Sequence, residues 1–389
     1  MSTAGRLSED DIYRTSTQYR LWSFSPEQLA AQRRKTHELA LTRAHQHASQ
    51  TADRPQNGTS QPEYLTEREE LRLVHRYCEL IQTTADHLKW PSNIKPVAVQ
   101  YLKRFYLSNS CMTYPPKEIY KTMLFLASKT EAYHLTVTKF AQSISADPEA
   151  ILAPEYKIMQ ALRFTLDVRQ PFRGLKGVLM ELLNMAEGLV ATVKGVEQRS
   201  ERDVQEALKQ LKPPPQDCRT PWKAPPDGTM GKKHFIDRIQ ASYATAKTLC
   251  DGPASLTDAY FLYTPSQILL AALHIADSPL AEFYLDTKLP LTLDSRPKIL
   301  ATIQACAALL ASYNPKDSMG KEERAALEKK LDLCRDPTTK DLIKAHAAMK
   351  RNGAEDGKVD EHDAKRRKLE REKREKEDPF GPSLGNGKV

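Results

Sequence analysis

The segment from Pro116 to about Lys129 constrains the fold more than any other. It carries Ile119, Met123, Leu124, Phe125, Leu126 and Ala127, so that as a helix it is apolar almost all round. Such a helix is stable only where neighbours cover every side, which predicts the central element of a helical bundle. A second segment of this kind runs through Ile268, Leu269, Ala271, Ala272, Leu273 and Ile275. No alternating run rich in Val, Ile and Thr reads as a convincing strand, and the remaining apolar residues recur at helical spacing. The expected class is all-α, with two tandem five-helix units that repeat a fold without obvious identity of sequence.

Helix starts are legible in the capping residues. Ser25-Pro26-Glu27-Gln28 offers a Ser N-cap, a Pro in the first turn and a Gln at N3, with Phe24 and Leu29 placed as a hydrophobic staple. Thr66-Glu67-Arg68-Glu69 is a second capping box, opening a helix toward Leu88 that Trp90-Pro91 terminates. The next helix, from near Pro96, sets Val97, Tyr101, Leu102 and Phe105 on one face, with Lys103 and Arg104 directed away from it. After the apolar helix come a short one over 136–144 and another opening at Asp147-Pro148 or at Pro154, with Ile158, Met159, Leu162 and Phe164. The second set is expected over 171–186, 232–251, 257–276, 279–285 and 294–313.

Polar stretches divide these sets. Residues 1–44 form an N-terminal segment with its own helix, and 45–63 read as a polar linker. The first helical unit covers 64–170 and the second 171–314, the latter interrupted by an insertion at about 187–231 whose proline-rich part, 212–226, reads as an extended linker. Residues 315–389 read as a charged helix followed by a disordered tail.

Several functions are excluded or disfavoured. No apolar run approaches the ~20 residues of a membrane span, and the start of the chain, with Glu9, Asp10 and Asp11, lacks the apolar stretch of a signal peptide. Six cysteines without a C-x-x-C pair indicate neither a zinc site nor a disulfide framework, and fit a reducing compartment. Gly228-Thr-Met-Gly231-Lys232 is too short for a phosphate loop, and no nucleophile or metalloprotease motif stands out. No catalytic residue, metal or cofactor is therefore expected. The 58 basic and 50 acidic side chains give a net charge of +8. By segment the basic and acidic counts are 8 and 6 for 1–62, 14 and 12 for 63–170, 16 and 15 for 171–314, and 20 and 17 for 315–389. No segment is strongly basic, which argues against direct nucleic-acid binding.

Three segments carry a family resemblance. AVQYLKRFYLSN (98–109) followed by MLFLASKTEA (123–132) resembles the second and third helices of a cyclin box, and PEYKIMQALRFTL (154–166) resembles its fifth. Residues 64–313 then look like two cyclin folds in tandem. QYRLWSFSPEQLAAQR (18–33) and LTDAYFLYTPSQILLAAL (256–273) are similar to the cyclin H branch of that family. The long insertion departs from it.

The resemblance implies a non-catalytic module that docks on a cyclin-dependent kinase and activates it allosterically. The kinase would be that of the CDK-activating kinase and TFIIH, acting on the RNA polymerase II C-terminal domain and on kinase activation loops. Implied partners are the kinase catalytic subunit, a RING-finger assembly factor and the TFIIH core. Lys129 and Glu155 are the implied kinase-binding residues; as bare chemistry they also read as charges complementing helix dipoles. Trp22 and Phe24 are candidate N-terminal contacts, to the kinase or to the second box. Tyr101, Phe105, Tyr106, Phe125 and Leu126 read as core. Lys365, Arg366, Arg367 and Lys368 form a candidate nuclear import signal. The alternatives are a cyclin C-like transcriptional cyclin and, in another class, a DNA-binding factor of the TFIIB type.

Overall fold

A computed structural model describes residues 9–51, 63–192, 196–225 and 231–339. An N-terminal arm comprises α1 (Glu9–Thr15), α2 (Thr17–Trp22) and α3 (Pro26–Thr51). The first unit holds α4 (Glu67–His87), α5 (Ile94–Phe105), α6 (Pro116–Thr130), α7 (Val137–Ser143), α8 (Pro148–Leu152) and α9 (Glu155–Ala161). The second holds α10 (Phe172–Ala186), α11 (Glu201–Lys209), α12 (Lys232–Asp251), α13 (Pro253–Leu256), α14 (Ala259–Leu262), α15 (Pro265–Ala276), α16 (Ser278–Asp286) and α17 (Arg296–Ala311). A last helix, α18 (Lys321–Cys334), follows.

The capping chemistry is realised atom by atom. Thr66 accepts from the Glu69 amide while the Glu69 carboxylate accepts from the Thr66 amide. Ser25 and Gln28 form the same reciprocal pair at the start of α3. Both of the segments read as apolar all round, α6 and α15, lie at the centres of their units. Gly174 of α10 permits the close approach of α15, because a Cβ there would lie 2.6 Å from a Leu269 methyl. The five aromatic and aliphatic side chains read as core, from Tyr101 to Leu126, are buried.

Four expectations differ from the structure. The helix α3 continues through residues 45–51, the first part of the segment read as linker. Residues 257–276 do not form one helix, because Thr257 and Tyr263 adopt extended backbone and split it into α14 and α15. The insertion holds a helix of its own, α11, which buries Val204 and Leu208, and its Gln205 amide donates to the Ala186 carbonyl at 2.8 Å. Lys103 and Arg104 do not face solvent: every residue of α5 is buried.

The proline-rich part of the insertion is ordered against the second unit. The Arg219 and Thr220 amides donate to the Ile275 and Ala276 carbonyls at 2.9 and 3.1 Å, and the Ser278 amide donates to Cys218 Sγ at 3.3 Å. Beneath this strap lies a dry ion pair. Arg238 donates through Nε and Nη2 to both oxygens of Asp277 at 2.7 and 2.8 Å, with Trp222 stacked on the guanidinium at 5.2 Å. Asp277 also caps α16 through the Leu280 amide and accepts from the Ser242 hydroxyl.

The helix α18 lies against the first unit by a different logic. It buries Leu331 and Cys334 and surrounds them with ion pairs, Arg72 to Glu323, Lys117 to Asp332 and Lys330 to Glu69, at 2.8 to 3.0 Å. Exposed pairs contribute ~0–1 kcal/mol each, so the apolar anchors carry most of the docking.

Two outcomes follow. Asp277→Ala leaves the Arg238 charge buried without its partner and removes the α16 cap, so chemical denaturation is expected to show a loss of about 3–5 kcal/mol. The arm is pH-sensitive through His37 of α3, whose Nδ1 lies 2.6 Å from Glu70 of α4. The hydrogen bond to Glu70 raises the imidazole pKa against the opposing effect of burial, with Glu70, Glu67 and Glu38 adding further attraction. Because the folded value is raised, this stabilisation is complete below the unfolded value near ~6.5 and is lost as pH rises through the folded value. Unfolding measured at pH 6 and pH 9 is expected to show that loss, with a smaller difference for His37→Gln.

Candidate functional site

Lys129 and Glu155, 26 residues apart, meet in space through an ion pair between Lys129 Nζ and Glu155 Oε1. Each stands where its helix puts it. Near the end of α6 the Glu131 amide bonds the Ala127 carbonyl and the Tyr133 amide bonds that of Ser128, with Ala132 in the left-handed region at φ 55°. Pro154 separates α8 from α9 and leaves Glu155 in the first turn of the latter. The lysine ammonium also lies 4.8 Å from the Phe125 ring centre. The lysine side chain is 43% exposed and the glutamate 16%, so the pair is presented to solvent rather than sealed in the core.

Beside this pair is a feature the sequence reading misplaced. Phe164, grouped with core residues of the last helix, is 60% exposed and lies edge-on to Tyr156, itself 43% exposed, at 6.4 Å between ring centres. The chain leaves α9 with Arg163 and Phe164 both in the left-handed region at φ 54°. Left-handed backbone costs non-glycine residues about 1–2 kcal/mol each. The turn is held by the Phe164 amide donating to the Met159 carbonyl and the Thr165 hydroxyl donating to the Leu162 carbonyl, at 2.9 and 2.7 Å. The Phe164 ring and its Tyr156 neighbour thus leave apolar area in solvent at the end of α9. Tyr156 directly follows Glu155 in a short helix; that spacing alone could have drawn attention to it.

Trp22 and Phe24 occupy the junction between the two units. Trp22 is 3% exposed and belongs to a small core with Leu29, Leu107 and Phe261. Phe24 packs edge-on against Phe261 at 5.9 Å, and its amide donates to the Phe261 carbonyl at 2.8 Å. Phe24 therefore packs on the second unit, and the ring of Trp22 is turned inward.

The same junction contains two buried cations of α5. Lys103 donates to the Thr257 carbonyl and lies 3.4 Å from Asp258, which Arg33 of α3 grips through both oxygens at 2.8 Å. Burial alone would raise the Asp258 carboxyl pKa, but Lys103 and Arg33 hold it well below the carboxylate range. Arg104, its pKa drawn down by burial to about 10, donates to the carbonyls of Thr165 and Asp167 at 3.4 and 3.2 Å. Among the described residues no group of three His, Cys, Asp or Glu side chains is arranged to hold a metal ion, and no helix is long and apolar enough to cross a membrane. Lys365 to Lys368 lie outside the described residues.

Comparison with known proteins gives this geometry a context. Residues 46–167 match the cyclin N-terminal domain and residues 170–311 the cyclin C-terminal domain. The chain is 31% identical over 294 residues to the cyclin Ccl1 of Saccharomyces cerevisiae, covering 73% of this chain but only 63% of that relative's length. It is similar to a chain in the structure of the CAK complex from Chaetomium thermophilum bound to ATP-γ-S, with a TM-score of 0.70 and 34% identity over 90% of this chain and 96% of that one. A chain of the yeast TFIIK complex (Kin28, Ccl1 and Tfb3) matches with a TM-score of 0.52 and 28% identity, over 77% of this chain and 100% of that one.

Because Phe164 is 60% exposed, its ring adds little to the core. Phe164→Ala is expected to shift the unfolding free energy by no more than about 0.5 kcal/mol, measured by urea titration.

Proposed function

The chain belongs to the cyclin family, and we propose that it is the regulatory subunit of a cyclin-dependent kinase of the CDK-activating kinase and TFIIH type. The observation that carries this reading is the partly exposed Lys129–Glu155 ion pair, with Tyr156, the residue after Glu155 in α9, exposed and ring-to-ring with the exposed Phe164. The likeness to chains of the CAK and TFIIK structures supports the same partner class.

In the free chain Lys129 and Glu155 satisfy each other. The pair is partly exposed, so exchanging it for contacts with kinase backbone groups costs little. On docking, Lys129 would donate and Glu155 would accept, setting the register, while Phe164 and Tyr156 bury apolar area. Stable assemblies of this kind bury on the order of 2,000 Å² or more. Moving a kinase from ~1% to ~99% active takes about 5.5 kcal/mol of differential binding, so apolar burial must supply most of it and the polar pair only its placement. The activator holds the kinase's regulatory helix inward and orders its activation loop, while the chemistry stays in the kinase.

The third subunit is proposed to be a RING-finger assembly factor, by analogy with the three-subunit yeast complex, and the whole to join the TFIIH core. Substrates would be the polymerase C-terminal domain and kinase activation loops, and the site of action the nucleus, with Lys365–Lys368 as the import signal.

Affinity purification of the full chain with identification of the bound kinase tests the reading. Lys129→Ala and Glu155→Ala are each expected to weaken kinase binding about tenfold or more while leaving the thermal midpoint nearly unchanged. Absence of a bound kinase together with tight, salt-dependent DNA binding would overturn the proposal in favour of a TFIIB-type factor.

A further inference from the structure

The strained turn that displays Phe164 does not stand on the first box alone. The arm helix α2 inserts Gln18 and Trp22 against residues 163–169, and both side chains are buried. Gln18 pairs with the backbone of Arg169 in both directions. Its Oε1 accepts from the Arg169 amide at 2.7 Å, and its Nε2 donates to the Arg169 carbonyl at 3.5 Å. The same Oε1 accepts from Arg104 Nη2 at 3.2 Å, which ties the arm and the turn to α5. Trp22 donates through its indole N–H to the Thr165 hydroxyl at 2.9 Å. Its ring also receives two guanidinium groups, Arg104 at 5.2 Å and Arg163 at 5.5 Å.

Arg163 and Thr165 are the two chain neighbours of Phe164. The arm therefore grips the turn on either side of the aromatic ring and leaves the ring itself in solvent. These contacts involve more than filling space. An amide hydrogen-bonded at two points to one residue, and an indole N–H aimed at one hydroxyl, define the path of the backbone. Two successive left-handed residues need such support, because the unstrained alternatives lie about 1–2 kcal/mol per residue lower.

We propose that Gln18 and Trp22 are positioning residues for kinase docking: they hold residues 163–169 in the conformation that presents Phe164, without touching the kinase themselves. This rests on the reading of the Phe164 face as the kinase-docking surface. It assigns the arm a role distinct from direct contact, and it separates Trp22 from Phe24, which bonds the second box.

The test uses the full-length chain and its cognate Kin28-type kinase subunit, with two readouts. Trp22→Ala and Gln18→Ala are expected to raise hydrogen exchange at residues 163–169 while leaving α6 and α15 protected, and to raise the Kd for the kinase about tenfold. Trp22→Phe keeps a ring between the two guanidinium groups but loses the N–H, so it should fold as wild type and fall between the two. In a Phe164→Ala background the effect of the Trp22 and Gln18 substitutions on Kd should shrink to within about twofold, because they act through that ring. Unchanged exchange at 163–169, or an undiminished Kd effect without Phe164, would overturn the inference. If Phe164→Ala alone binds the kinase as wild type, the docking-face reading fails instead, and the exchange data still decide whether the arm shapes the turn.

Discussion

Helix α5 is buried along its whole length, and three of its residues are cations that cannot reach solvent. An unpaired charge in such a place costs several kcal/mol, so each of these side chains must find partners on another element. Lys95 spans Asp86 and Asp251 at 2.7 and 2.6 Å, joining the first box to the end of α12 in the second. Lys103 reaches the Thr257 carbonyl and Asp258, and through Asp258 it engages Arg33 of the arm. Arg104 turns the other way, to Gln18 and the backbone of Thr165 and Asp167. One helix thereby sets the second box, the arm and the Phe164 turn relative to the first box. Hydrophobic burial supplies the driving force, and these three charges supply direction.

The surface proposed for docking takes its shape from that arrangement. Lys129 and Glu155 are held by the ends of two helices within one box, and they form a pair in the unliganded chain. Phe164 depends on more: a turn in left-handed backbone, gripped on both sides by an arm that begins more than a hundred residues earlier. The ion pair is thus held within one box, whereas the turn of Phe164 also contacts the arm.

The polar sequence outside the boxes falls into two kinds. The proline-rich strap crosses the second box by backbone hydrogen bonds and covers the Arg238–Asp277 pair with Trp222, so the insertion is part of that box's structure. The last described helix, α18, lies on the first box with two buried anchors ringed by exposed ion pairs. In sequence the first reads as an extended linker and the second as a charged helix, neither with a sign of what it packs on. The strap is held by backbone amides and α18 by two apolar anchors among charges, and the partners of neither leave a periodic signature.

Much was legible without coordinates, for a physical reason. Capping boxes at Ser25 and Thr66 are local chemistry, and apolar periodicity in α6 and α15 is a direct record of burial. The cyclin pattern likewise rests on short contiguous segments; that Lys129 and Glu155 meet as an ion pair is what folding added to it. What the linear order could not disclose is anything decided by a distant partner. Lys103 and Arg104 fall off the apolar face that the spacing marks, yet tertiary neighbours bury and pair them. Phe164 looked like core because its chemistry is that of core, yet a left-handed turn faced it outward. Capping and spacing thus determined most of the helices, and the resemblance of short segments pointed to the family they build. Only the packed structure decided which charges are interior and which aromatic ring is left in solvent, because both depend on groups brought close by folding alone.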